Sequence, residues 1–74
     1  MTTRWETRYS SCEMLYLEIV GQEVRCWLDH SPQTADRFTF DEVLAGQCDG
    51  GEVGCVFGDK VVAELKEAIR ELRK

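Results

Sequence analysis

Four cysteines, one histidine and fourteen acidic side chains are the groups in this 74-residue sequence best equipped for chemistry. Structural zinc sites usually draw their thiolates from CxxC pairs that converge on a tetrahedron. Here Cys12, Cys26, Cys48 and Cys55 are separated by thirteen, twenty-one and six residues, so no such pair exists. A smaller site built from Cys48, Cys55, Asp49 and His30 is the metal arrangement left open, and a Cys48/Cys55 couple is the redox one. The first ten residues, MTTRWETRYS, lack the apolar stretch of a secretion signal. The expectation is therefore a cytoplasmic chain (host cytoplasm if phage-encoded) whose cysteines remain thiols, with no cofactor.

Catalytic groupings are equally sparse. Asp29-His30-Ser31 contains the residue types of a hydrolase triad, but consecutive residues of a strand point to opposite sides and cannot form one by adjacency. Carboxylates are abundant, yet shifting the pKa of one requires an enclosing cleft, which so short a chain is not expected to build. The glycine-rich CDGGEVGCVFGDK fits neither the phosphate-binding P-loop nor GxGxxG. Gly58-Asp59-Lys60 opens a helix whose first amides suit an anion, but Asp59 would repel it. No enzyme is expected.

The elements that position these residues start from the hairpin LYLEIVGQEVRCWL. Gly21-Gln22 suits a two-residue type II′ turn, with Gly at the position that needs positive φ. That turn pairs Val20 with Glu23, Ile19 with Val24, Glu18 with Arg25, Leu17 with Cys26, Tyr16 with Trp27, Leu15 with Leu28 and Met14 with Asp29. Leu15, Leu17, Ile19, Val24, Cys26 and Leu28 then share one apolar face, and Tyr16, Trp27, Glu18 and Arg25 share the other. A slip of one residue would drive charge into the apolar face, so the register is self-enforcing. It also places Cys12 about five positions, roughly 16 Å, from the partner of Cys26, which rules out a disulfide between them.

Upstream, Trp5, Thr7 and Tyr9 alternate with Arg4, Glu6 and Arg8, as a further strand would, or an extension of the first with a bend at Ser10-Ser11. Downstream, Ser31-Pro32-Gln33 is expected to end the second strand. Thr39 and Glu42 form a capping box, Phe38 and Val43 sit where a hydrophobic staple would, and Gly46 is placed to stop the short helix. Val53, Cys55 and Phe57 alternate as in a short third strand with a bulge or close approach at Gly54. Asp59 reads as the N-cap of a last helix over 60–73, with Val61, Val62, Leu65, Ala68, Ile69 and Leu72 on one stripe. The expected fold is a single α+β domain: a small antiparallel sheet (hairpin 12–20/23–30 plus one or two short strands), a short helix near 40–46, and a C-terminal helix packed on one face.

Composition and charge bound the function. Hydrophobic residues make up 43% and charged residues 31%, a balance that folds. No apolar run approaches the length of a membrane span, so no membrane is expected. The net charge of −5 is uneven: residues 26–59 hold seven acids against Arg37, whereas residues 60–74 hold five bases against three acids. No basic footprint for direct nucleic-acid binding is visible, and the acidic middle suits a protein partner with a basic surface. Tyr16 and Trp27 are either covered by the short helix or the N-terminal segment, or displayed to a partner with Met14, Glu18, Arg25 and Asp29 around them. The first functional expectation is a small acidic inhibitor, by class-level analogy with phage counter-defence (anti-CRISPR) proteins. Asp29, Asp36, Asp41, Glu42, Asp49 and Glu52 would occupy a basic nucleic-acid-binding groove, with Tyr16/Trp27 as the apolar anchor. The alternative is a cellular accessory or regulatory module that docks, or forms a homodimer, through the hairpin.

Overall fold

The computed structural model describes residues 2–74, apart from the side chains of residues 31–34 and 52. Four strands, β1 (Arg4–Ser10), β2 (Glu13–Val20), β3 (Glu23–Leu28) and β4 (Ser31–Thr39), precede three helices, α1 (Phe40–Leu44), α2 (Glu52–Phe57) and α3 (Asp59–Leu72). The strands form one antiparallel meander in the order β1-β2-β3-β4. The β2–β3 register matches the expected pairs from Val20↔Glu23 out to Leu15↔Leu28. Gly21 has φ +64° and Gln22 does not have positive φ, as a type II′ turn requires. The N-terminal segment is a strand of its own, with Trp5 opposite Leu17 and Thr7 opposite Leu15.

Helices cover only one side of this sheet. Trp5, Leu15, Leu17, Val24 and Cys26 from the strands share one buried cluster with Val43, Val53, Val62, Leu65, Ala68 and Ile69 from the helices. Burying side chains of this size contributes about 1.5–3 kcal/mol each, which makes this cluster the main source of stability. Trp5 is anchored further by its indole N–H, which donates to Glu64 Oε1 at 3.1 Å. The α1 start follows the capping box: the Thr39 hydroxyl accepts from the Glu42 N–H at 3.1 Å, and Glu42 Oε1 accepts from the Thr39 N–H at 2.8 Å. Gly46 follows the helix at φ +95°, where a side chain would be strained.

The structure departs from expectation at four points. The second hairpin strand ends before Ser31-Pro32-Gln33, but that segment is not a loop: it opens a further strand. The chain turns at Asp29-His30, and Ser31–Thr39 returns as a fourth strand. Proline is compatible with that position because β4 is an edge strand, with no ladder to interrupt on its outer side. Residues 53–57 form helix α2 and not a strand. Val53 is buried, Val56 and Phe57 are partly buried against the core, and Cys55 is exposed, which is a spacing of three and four and not of two. Asp59 lies in the first turn of α3, and Gly58, at φ +91°, holds the cap position. Leu72, on the expected apolar stripe, is exposed.

The close approach expected at Gly54 is present, but inside a helix. A Cβ there would fall 2.6 Å from the Cys48 carbonyl oxygen and closer still to that of Asp49. Gly54→Ala should therefore destabilise the protein by about 1–3 kcal/mol in urea titration, although alanine is the better helix former. Unchanged or increased stability would show that the segment before α2 yields to the methyl group.

Candidate functional site

The uncovered side of the sheet gathers residues that the strands alternate away from the core. Arg4, Glu6 and Arg8 come from β1, Met14, Tyr16, Glu18 and Val20 from β2, Glu23, Arg25 and Trp27 from β3, and Ala35, Arg37 and Thr39 from β4. No residue of this face is fully buried, whereas the opposite face supplies every strand residue of the core. Tyr16 and Trp27 are half-buried and stack on each other, with ring centroids 5.6 Å apart and planes at 28°. The Arg4 guanidinium carbon lies 5.2 Å from the Tyr16 centroid, within range of a cation–π contact. Arg25 is fixed by Glu23, two residues away on the same strand, at 2.9 Å. The N-terminal segment joins the sheet edge and sends Trp5 to the other side, so among its described residues only the Arg4 side chain reaches over the aromatic pair.

The fold brings Glu18 to this face, but not the acidic residues expected to meet a basic groove. Asp36 is opposite Cys26 and leaves β4 on the helix side, where it is exposed. Asp41 pairs with Arg73, and Asp49 pairs with Lys66 at 2.9 Å. Glu42 is the reciprocal member of the α1 capping box. Asp29 is exposed in the β3–β4 turn next to Met14, whose carbonyl accepts from its N–H at 3.0 Å. The side chain of Glu52 lies outside the described residues. Met14, Tyr16, Glu18, Arg25 and Trp27 thus share one face of the sheet, and Asp36, Asp41, Glu42 and Asp49 are not part of it.

Sequence reasoning placed Arg25 on the open face but missed Arg4, Arg8 and Arg37. The alternation of Arg4 and Arg8 with Trp5 and Thr7 was visible, but Arg37 joins them only because β4 exists. The signal for β4 was the alternation of Ala35, Arg37 and Thr39 with Asp36 and Phe38, in which Asp36 breaks the apolar side.

The groupings that would support metal or redox chemistry are not assembled. Among the described residues, no group of three or more His, Cys, Asp or Glu side chains is arranged to hold a metal ion. Cys48 is buried in the core, while Cys55 is exposed on α2. His30 Nε2 donates to the Cys12 carbonyl oxygen at 2.9 Å, tying the two turns at that end of the sheet. Burial first, and then the Asp49 carboxylate, push the Cys48 thiol above its ordinary pKa; Lys66 opposes the rise and Glu42 adds to it. A thiol so raised stays protonated at neutral pH and is a weak nucleophile. No helix among the described residues is long and apolar enough to cross a membrane.

The chain matches no protein-family model, no curated protein and no solved structure with which it was compared.

Cysteine alkylation in native buffer reads this arrangement directly. Cys12 and Cys55 are exposed and should react promptly, whereas Cys26 and Cys48 should be modified only after addition of denaturant. Prompt native modification of Cys48 at neutral pH would contradict its buried, protonated state.

Proposed function

We propose that this protein acts by binding another protein, as a non-catalytic inhibitor or regulator, and that it docks through the open face of its sheet. The observation that carries this reading is the Tyr16–Trp27 stack at the centre of a face over which no described element packs. Large aromatics ringed by charged side chains are the usual make-up of an interface hot spot and its rim. A rigid sheet also presents its side chains with little ordering cost on binding. Inhibition of the phage counter-defence type and service as a cellular accessory module both use this face, and differ in whose partner is occupied.

Asp36, Asp41, Glu42 and Asp49 lie apart from this face, and three of them already have partners within the chain. A contribution from them to binding a basic target is best tested through Asp36, because Glu42→Lys would also break the helix cap.

The test compares immobilised native chain with the Tyr16→Ala/Trp27→Ala double variant in an extract of the cells that express the protein. A partner held through this face should be lost by at least about tenfold in the variant, since hot-spot truncation costs about 2 kcal/mol or more. Circular dichroism should show the sheet intact, because neither ring belongs to the core. Equal retention by both chains would remove the open face as the docking surface. If the partner is a second copy, sedimentation will show association that rises with concentration in the native chain and is absent in the variant.

A further inference from the structure

Sheet register assembles a charge pattern that the sequence scatters. Arg4, Glu18, Arg25 and Arg37 form one row across all four strands. Arg8, beside Met14, adds a fourth arginine to the same face. With Glu6, Glu18 and Glu23, these arginines give the open face a net +1, while the other five basic and eleven acidic residues of the chain carry −6. The docking face is therefore slightly positive in a protein whose total is −5.

Within this face Arg25 and Arg37 are direct register partners, so their side chains leave neighbouring strands on the same side. Like charges directly opposite each other on a sheet repel. Arg25 is partly neutralised by Glu23, but Arg37 is exposed and makes no hydrogen bond or ion pair among the described residues. Next to this pair lies a hollow of about 270 Å³, lined by Glu18, Val20, Arg25, Trp27, Ala35 and Arg37. It combines an aromatic wall with two forked cations and one carboxylate, Glu18, on the far side of Arg25 from Arg37. A second carboxylate set between the two arginines would turn their repulsion into charge-assisted hydrogen bonds.

We infer that this hollow is a carboxylate-binding subsite, and that the protein segment docking on the open face is acidic. An anionic side chain lies between Arg25 and Arg37, and an apolar or aromatic neighbour rests on Trp27. This rests on the docking reading above and gives the partner's contacting segment the opposite sign from that suggested by the acidic middle of the sequence. A protein segment suits the face better than a nucleic acid. Polyanion affinity grows with the number of phosphates neutralised. Here glutamates interrupt the arginines, and the rest of the chain carries −6. One carboxylate needs only the two guanidinium groups.

The test titrates isotope-labelled full-length chain with three probes, followed by the backbone amide resonances of Tyr16, Arg25, Trp27 and Arg37. The probes are a short synthetic peptide alternating Glu with Tyr, its counterpart alternating Lys with Tyr, and single-stranded oligothymidylate. The acidic peptide should shift these resonances, and the other two should not. Arg37→Ala should weaken the acidic peptide by about tenfold, and Arg37→Lys, which keeps the charge but loses the fork, by an intermediate factor. If the basic peptide shifts the same resonances, the face docks proteins but the acidic subsite is wrong. Shifts with oligothymidylate at least as strong as with the acidic peptide would make it a nucleic-acid platform. If no probe moves these resonances, the acidic subsite is overturned; the docking reading then stands or falls on whether the Tyr16→Ala/Trp27→Ala variant still retains the native chain's partners.

Discussion

Leu15, Leu17, Ile19, Val24, Cys26 and Leu28 have to leave water on the same side of a hairpin whose register is set by the turn at Gly21-Gln22. Side chains in a strand alternate strictly, so satisfying these six residues fixes the direction of every other residue in β2 and β3. The remaining strands are bound by the same rule. Trp5 meets Leu17 on the apolar face and Phe38 lies opposite Val24, so β1 and β4 extend the face that the hairpin defines. A register slip would cost several buried side chains together, and no local adjustment could recover them.

The placement of the helices decides what happens to the other face. The helical segments α1, α2 and α3 direct their buried residues into a single cluster with the apolar side of the sheet. A chain of 74 residues builds one core, and its helices supply apolar residues for one layer. Tyr16 and Trp27, held opposite each other by the register, meet on the uncovered side and shelter one another by stacking. Their polar ends and their half-burial suit a surface that faces water until something else meets it.

Charge follows the same division. The open face carries all of its positive charge as arginine, spaced along four strands and interleaved with glutamate. The helix side carries most of the acids, several of which do structural work: Glu42 closes the cap of α1, Glu64 receives the Trp5 indole, and Asp49 and Asp41 tie loop and helix to α3. The exposed pairs among these contribute little to stability. Their consequence is that an acid in the sequence is not automatically an acid free for a partner.

What the sequence determined by itself was local and periodic. The β2–β3 register, the capping box at Thr39 and Glu42, the stop at Gly46 and the long helix α3 are properties of residues close together in the chain, and they were legible for that reason. Five residues were too few to separate a period of two from one of three to four, so α2 was read as a strand until the core claimed Val53, Val56 and Phe57 together. The single proline near the end of β3 concealed β4, because only its place at the sheet edge makes that proline harmless. With β4 unseen, Arg37 could not be placed beside Arg25, nor Asp36 on the opposite side. Which charges share a surface depends on pairing between distant strands, and that information is carried by tertiary contacts and not by spacing along the chain.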